Sequence, residues 1–179
     1  KQTDTVGAVA DCAAGALLRG ARGNSGVILS LLFRGIAKSL KGRETASAAE
    51  FAAAVSAGVD AAYKAVMKPA EGTILTVSRL GAQAAVAFAK DSTDFEGMLD
   101  ALLAAAREAL ADTQNINPVL RRAGVVDAGG EGFVLVMDAM LGYLQGRTAA
   151  PVTAAAPAAA AAPKEGADFS EFDTGEITF

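Results

Sequence analysis

Apolar residues recur every three or four positions through the first 145 residues, the spacing that gathers them on one face of an α-helix. The pattern predicts six helices, at about Thr5–Leu18, from Ser25 to Leu40, from Ser47 through Val66, after Thr73 to about Lys90, from Thr93 through Leu110, and after the glycines at 129, 130 and 132 through Leu144. A short turn at Pro118–Arg122 is a candidate seventh piece. No strand-like alternation of useful length interrupts this stretch, so we predict an all-α fold, an antiparallel helical bundle.

Two of the predicted helix starts match the Ser/Thr-x-x-Glu capping box, in which a hydroxyl and a carboxylate each satisfy a free N–H of the first turn. The matches are Ser47–Glu50 and Thr93–Glu96. We therefore expect Ser47 and Thr93 to be N-caps.

Composition narrows the class of partner. Hydrophobic residues make up 52% of the chain, and much of that is alanine, the strongest helix former. The 16 basic and 20 acidic residues leave a net charge of -4 without a basic block, so we predict no nucleic-acid partner.

The single cysteine, Cys12, is expected to be a small buried hydrophobe. The most apolar stretch, Phe133–Leu144, is shorter than the roughly 20 residues that cross a bilayer, and we predict a cytoplasmic protein without a transmembrane segment.

The helical pattern ends near residue 146, which gives a helical domain at 1–146. Residues 147–167 are rich in alanine and proline and are typical of an extended linker. The acidic and aromatic residues 168–179 are predicted to begin a following domain or tail. Because the chain starts without Met inside a helical pattern, we expect it to be a fragment of a longer protein.

Three segments have the composition of nucleotide-binding loops, and the first is Gly20–Gly26, directly before the second helix. Its three glycines allow positive φ angles and a close approach to a ligand. Asn24 is predicted to be the N-cap, and the N–H groups of Ser25 and Gly26 would then lie at the positive end of the helix dipole, where a phosphate binds well. An ordinary glycine-rich turn capped by Asn24 explains the residues equally well.

The second segment is Lys68–Val77. Thr73 can cap the following helix or donate to a ligand, and Ile74 and Leu75 offer an apolar wall for a purine. Lys68 is the one cation of the segment that would offset phosphate charge. On spacing alone, a plain corner between two helices is the favoured alternative.

The third segment is Gly124–Gly132, in which Asp127 lies among four glycines. A carboxylate in such a turn can accept hydrogen bonds from ribose hydroxyls. The alternative is that Asp127 caps the sixth predicted helix, and the residues do not decide between the two.

The chain also lacks the residues that several kinds of catalytic site require. It has no histidine, so neither a histidine-based triad nor a zinc site can be assembled. Phosphoryl transfer relies on Mg²⁺ held by carboxylates, and the sequence contains no tight carboxylate cluster. We therefore assign no catalytic residue and no metal ligand.

Taken in order, the runs at 20–30, 65–77 and 124–132 resemble the ATP-binding domain of bacterial fatty acid kinases. That domain is similar to the L subunit of dihydroxyacetone kinases, and the resemblance extends over about residues 1–145. It implies a helical barrel of the L-subunit type with ATP or ADP bound at one end.

The resemblance also implies roles for individual residues. Those that fall where the family contacts the ATP phosphates are Gly23, Asn24, Ser25 and Gly26. Those that fall near the adenine are Thr73, Ile74 and Leu75, and those on the loop over the sugar are Asp127 and Gly129.

The implied reaction transfers phosphate from ATP to the carboxylate of a fatty acid, which a DegV-type fatty-acid-binding protein presents, and gives an acyl phosphate. In the family, Mg²⁺ is held by an Asp-rich turn upstream of the first helix. This chain has no such turn, so we carry over no metal ligand and expect the chain alone to bind nucleotide weakly and to be inactive.

Other functions stay open at this point. The nearest alternative is the nucleotide subunit of a dihydroxyacetone kinase, against which stand Asn24-Ser25 and Lys68-Pro69. A non-catalytic module that senses ATP and contacts partners is an alternative of another class, favoured by the missing metal turn. A helical bundle without a ligand is the third. A homodimer formed through the rest of the protein is also left open.

Overall fold

The computed structural model describes residues 5–147, and every regular element within them is a helix. The helices are α1 (Val6–Gly20), α2 (Gly23–Ser39), α3 (Ala48–Ala65), α4 (Ile74–Phe88), α5 (Phe95–Ile116), α6 (Pro118–Ala123) and α7 (Ala128–Leu144). The all-α prediction is confirmed, and the candidate seventh piece is α6. The predictions for 148–179 lie outside the described residues.

Helices α1 to α5 pack as antiparallel neighbours. Each of α1 to α4 contacts the next helix along the chain, and α7 packs against α4 and α5 and touches α2. The starts of α2, α4 and α7 therefore lie at the same end of the bundle as the ends of α1, α3 and α5. None of the helices in residues 5–147 combines the length and the apolar character needed to cross a membrane.

The core is aliphatic and centres on α5. Leu99, Leu102 and Ala106, three members of the apolar stripe predicted for this helix, are 0% exposed. Phe133 and Met137 of α7 are equally buried and complete the centre of the core. A fully buried leucine, phenylalanine or methionine side chain contributes about 1.5–3 kcal/mol to folding. Burial of the stripe therefore holds α5 in the core.

Two glycines bring α2 and α3 into backbone contact. A Cβ atom on Gly58 would lie 2.5 Å from the carbonyl oxygen of Leu32. A Cβ atom on Gly35 would lie 2.6 Å from the Cα atom of Gly58. No side chain fits between the two helices at this level, so Gly35 and Gly58 fix how α2 lies on α3.

The structure confirms one of the two predicted capping boxes and contradicts the other. The box of α3 is confirmed, because the Ser47 hydroxyl accepts the Glu50 N–H at 3.4 Å and the Glu50 carboxylate accepts the Ser47 N–H at 2.9 Å. The box at Thr93 is wrong: α5 begins one residue later, with Asp94 as N-cap and without a capping hydrogen bond from its side chain. The Ser92 hydroxyl accepts the Asp94 N–H at 3.1 Å, and this turn shifts the helix start.

The burial predicted for Cys12 is also wrong. The thiol lies on the exposed side of α1. Apart from Asp11, its neighbours along the sequence are small and apolar, but the face that α1 turns toward α2 is set by Gly7 and Ala14, which are the buried residues of this helix.

Candidate functional site

The three predicted segments lie at one end of the bundle. We call this the site end and define it by the starts of α2, α4 and α7 together with the last turn of α5. The opposite end, which holds the starts of α1, α3 and α5, we call the closed end. At the site end three helix dipoles present their positive poles.

The start of α2 is open. Arg22 is the N-cap, in extended conformation and without a side-chain capping hydrogen bond. Gly23 is the first helical residue and has a φ of 65°, a conformation that favours glycine. Asn24 therefore lies inside the first turn, and its predicted role as N-cap is wrong, because Gly23 lets the chain enter the helix earlier. Asn24 and Ser25 are both exposed, and the first N–H groups of the helix are available to a ligand.

The first and third segments touch each other. A Cβ atom on Gly129 would lie 2.8 Å from the Ser25 Oγ atom and 3.2 Å from the Asp127 Oδ2 atom. Only glycine fits between these side chains without displacing one of them. Two segments that are about 100 residues apart in the sequence thus form one surface, where two helix starts meet.

The start of α7 is held by Asp127. Its Oδ2 atom accepts the Gly130 N–H at 2.7 Å, and its own N–H donates to the Thr113 hydroxyl of α5 at 3.2 Å. Asp127 is therefore the N-cap, as the alternative for this segment proposed. The helix begins at Ala128, so the expectation that it follows Gly129, Gly130 and Gly132 is wrong. Those glycines form its first turns.

The start of α4 carries the second segment. Thr73 is the N-cap, as predicted: its hydroxyl accepts the Leu75 N–H at 3.3 Å and donates to the Ala70 carbonyl at 2.8 Å. Ile74 and Leu75 are 2% and 1% exposed and pack in the core. Their contact with an adenine stays a prediction, and the surface itself offers the half-buried Thr73 and the backbone of the first turn.

A network that sequence reasoning missed holds the loop before α4. We call it the carboxylate clasp, and it consists of Tyr63, Glu71, Thr76 and Arg79. Glu71 accepts three hydrogen bonds, from the Tyr63 hydroxyl at 3.0 Å, the Thr76 hydroxyl at 2.6 Å and the Arg79 guanidinium at 2.8 Å. The Arg79 Nε–H also donates to the Tyr63 oxygen at 3.1 Å. The clasp thereby joins α3, the loop and α4.

The charges of the clasp stabilise each other. Partial burial acts to raise the pKa of Glu71, but the hydrogen bonds from Thr76, Arg79 and Tyr63 outweigh it and hold the pKa below its usual value. The hydrogen bonds to Tyr63 and Glu71 raise the pKa of Arg79. Burial raises the pKa of Tyr63. Glu71 is therefore a carboxylate and Tyr63 a neutral phenol at neutral pH.

The sequence contains a weak signal for the clasp. Thr76 and Arg79 are three residues apart and so share one face of α4. Glu71 lies just before Gly72, where the chain turns. Tyr63 belongs to the apolar stripe of α3, which predicts a packed ring and indicates no role for its hydroxyl. Nothing in the spacing shows that all four meet.

The starts of α2 and α4 are suited to an anion, whereas the first turn of α7 carries Glu131. The first turns of α2 and α4 contain no acidic residue. The short helix α6 ends with Arg121 and Arg122, and the Arg121 guanidinium donates to the carbonyls of Gln114 and Asn115 at the end of α5. Cations placed on the C-terminal carbonyls of a helix offset its negative pole.

A divalent metal is a separate matter. Within residues 5–147, no group of three or more histidine, cysteine, aspartate or glutamate side chains is placed to hold one. The described residues therefore do not fit Mg²⁺ as ligands, and we derive no step through a metal.

Comparison with known proteins gives a consistent result. The DAK2 domain matches residues 1–142. Protein YloV of Bacillus subtilis is 49% identical over 146 residues, which cover 82% of this chain and 26% of YloV. An uncharacterized protein of Staphylococcus saprophyticus is 52% identical over 132 residues, 74% of this chain and 24% of that protein. The chain thus spans about a quarter of the length of these relatives.

Proposed function

Because the chain belongs to the DAK2 domain family, a kinase-related nucleotide-binding domain of the dihydroxyacetone kinase family, we propose that it is the ATP-binding domain of a kinase that phosphorylates fatty acids. The site end is the proposed ATP site. Residues Gly23 to Gly26 bind the phosphates, Thr73 lies near the base, and Asp127 and Gly129 lie near the sugar.

One observation carries this proposal: the contact between Ser25 and Gly129 that joins the starts of α2 and α7. A single helix start is a weak anion site, with each interaction contributing about 0.3–1 kcal/mol when exposed. Two starts on one surface, with a third at α4, add their dipoles, and α2, whose N-cap supplies no side-chain acceptor, adds free N–H groups. The exposed Ser25 hydroxyl supplies a further donor to a phosphate.

In the proposed reaction a carboxylate oxygen of the fatty acid bonds to the γ-phosphorus of ATP, and the bond to the bridging oxygen breaks. The products are an acyl phosphate and ADP. Phosphoryl transfer asks the protein mainly for positioning and charge stabilisation, and the N–H groups of α2 supply both at the phosphates. The acyl chain is held by a DegV-type fatty-acid-binding protein, and Mg²⁺ is held outside the described residues.

The test is a calorimetric titration of Mg-ATP into this chain and into the same chain extended upstream. We expect weak binding to the first and tighter binding to the second, with a loss of about tenfold, or about 1.4 kcal/mol, in Asn24→Ala with Ser25→Ala. Ser47→Ala, a serine at a helix start of the closed end, is the matched control and should bind like the wild type. Absence of binding in both chains would contradict the proposal.

The acceptor is tested next, in the extended chain. Adding a fatty acid with its carrier protein should produce ADP, whereas dihydroxyacetone should not. ADP formation with dihydroxyacetone alone would identify a dihydroxyacetone kinase subunit. Tight ATP binding without turnover on either acceptor would identify an ATP-sensing module.

A further inference from the structure

We propose that Glu71 is a positioning residue for the nucleotide and acts through the Gly72 backbone on the orientation of the Thr73 side chain. The inference rests on the proposed function, since it concerns the same ATP site. Glu71 does not itself contact the ligand in this proposal: the carboxylate clasp sets the conformation of the loop that leads into α4.

The clasp holds the loop through the Thr76 hydroxyl. The Thr76 hydroxyl donates to Glu71 at 2.6 Å and accepts the Gly72 N–H at 2.8 Å. Thr76 is 2% exposed, so water does not compete readily for these bonds. The position of the Gly72 amide is therefore tied to the Glu71 carboxylate through a buried hydroxyl.

The end of α5 limits the loop on its other side. Gly72 has a φ of 74°, and a Cβ atom on it would lie 3.0 Å from the Ile116 Cβ atom and 3.1 Å from the Asn117 backbone nitrogen. The loop thus lies between the clasp and α5, with little freedom at Gly72. Thr73, the next residue, receives its orientation from this arrangement.

Only a carboxylate completes the clasp. All three partners of Glu71 donate to it, from Tyr63, Thr76 and Arg79. An amide at position 71 keeps only one acceptor oxygen for these donors, turns an NH2 group toward the rest of the clasp, and leaves Arg79 without its charged partner. Glu71→Gln therefore opens the clasp while changing the side-chain volume very little.

The chain offers a matched control at the other end of α3. Glu50, at the start of α3, also pairs with an arginine, Arg43, and accepts from the Ser47 N–H at 2.9 Å. Glu71 follows the other end of α3 and contacts Tyr63 two residues before that end. Glu50→Gln removes a carboxylate of the same kind at the closed end.

The first measurement is independent of nucleotide. Amide hydrogen exchange at Gly72 in this chain should accelerate about tenfold in Glu71→Gln and stay within about twofold of wild type in Glu50→Gln. A tenfold change in an opening equilibrium corresponds to about 1.4 kcal/mol. Unchanged exchange at Gly72 would overturn the inference, because the clasp would then not control the loop.

The second measurement is Mg-ATP affinity in the upstream-extended chain. We expect Kd to rise about tenfold in Glu71→Gln, about threefold in Tyr63→Phe, and not at all in Glu50→Gln. In a Thr73→Ala background, Glu71→Gln should add nothing, since both changes remove the same positioned group. A merely structural role would give additive losses.

The outcomes separate the two proposals. Wild-type affinity in Glu71→Gln, or additive losses with Thr73→Ala, overturns the role of Glu71 and leaves the ATP site standing. If the wild type and Glu50→Gln both fail to bind Mg-ATP, the proposed function fails, and the positioning role fails with it. Tyr63→Phe keeps the carboxylate and provides the answer if Glu71→Gln does not fold.

Discussion

Helices α1 and α2, which start at opposite ends of the bundle, satisfy their first N–H groups in opposite ways. At the closed end, the first three N–H groups of α1 donate within the protein, to the Glu44 carbonyl at 3.0 Å, the Arg43 carbonyl at 3.1 Å and the Thr5 hydroxyl at 3.3 Å. At the site end, the N-cap of α2 supplies no side-chain acceptor. The same kind of group is bonded within the protein at the start of α1 and open to a ligand at the start of α2, whereas Thr73 and Asp127 cap the other two starts of the site end.

Side chains near the two ends differ in the same sense. Phe51 and Phe95 pack at the closed end with ring centroids 5.3 Å apart. At the site end the contact we compare with it is between Ser25 and Gly129, where a hydroxyl lies beside a residue that has no side chain. The comparison teaches that the start of α1 serves stability, because its N–H groups bond within the chain, whereas the start of α2 keeps polar groups free.

The largest effect we predict is on stability, at the closed end. A Cβ atom in Gly7→Ala would lie 2.5 Å from the Leu40 carbonyl oxygen, a backbone atom that cannot turn away. We expect the free energy of unfolding in urea to fall by about 3 kcal/mol. Gly132→Ala, which meets nothing within 4 Å, is the control and should gain about 0.5–1 kcal/mol. Equal behaviour of the two variants would show that this end is not tightly packed.

The next effect is on affinity, at the site end. In Gly129→Ala the new methyl group lies 2.8 Å from the Ser25 Oγ atom, and Ser25 can rotate away, so the loss of stability should stay near 1 kcal/mol. Mg-ATP should bind about tenfold more weakly, about 1.4 kcal/mol, because the hydroxyl is displaced. Calorimetry on this variant beside Gly7→Ala checks the contrast. A larger affinity loss in Gly7→Ala would reverse the comparison.

A pair of N-caps sharpens the comparison further. Asp127→Ala and Ser47→Ala each remove a side-chain acceptor from a helix start and should each cost about 1 kcal/mol of stability. Only Asp127→Ala should also weaken Mg-ATP binding, by about threefold. Thermal unfolding and titration of both variants provide the measurement, and equal effects on binding would argue against a special role for the site end.

The smallest effect is on pH dependence. The pKa of Glu71 is lower in the folded protein than its usual value of about 4.3, so the unfolded chain binds more protons there. The stabilisation by Glu71 is present above about pH 4.3 and is lost as pH falls through the folded pKa. Because Glu71 is 48% exposed, the loss should stay below about 1 kcal/mol. Urea unfolding of wild type and Glu71→Gln at pH 7 and pH 3 should converge at the lower pH.

Much of the fold follows from local patterns in the sequence. The stripe of α5 and the capping box of Ser47 depend on neighbours within one helix, and the structure confirms both. The start of α2 could not be placed, because Asn24 is a good cap by type and only the backbone angle of Gly23 decides where the helix begins. Thr93 fails for a similar reason, since Ser92 offers a competing acceptor.

The candidate site could be predicted only in parts. Each of its three segments stands out by its glycines and short polar residues. The contact of Ser25 with Gly129 and the clasp around Glu71 depend on how helices distant in the sequence pack, and spacing does not report this. Ile74 and Leu75 illustrate the limit: their apolar character suits a purine as well as a core, and burial shows that they pack in the core.

The glycine contact between α2 and α3 has a consequence for which substitutions the protein tolerates. Gly35 lies about ten residues, or about 15 Å, along α2 from the proposed phosphate-binding residues. A methyl group at Gly35 or Gly58 would push the two helices apart and tilt α2 as a rigid rod, which displaces its first turn. Distance from the proposed ATP site is therefore a poor guide to mutational tolerance, and we expect inherited variation at these two positions to be as restricted as at Gly23 to Gly26.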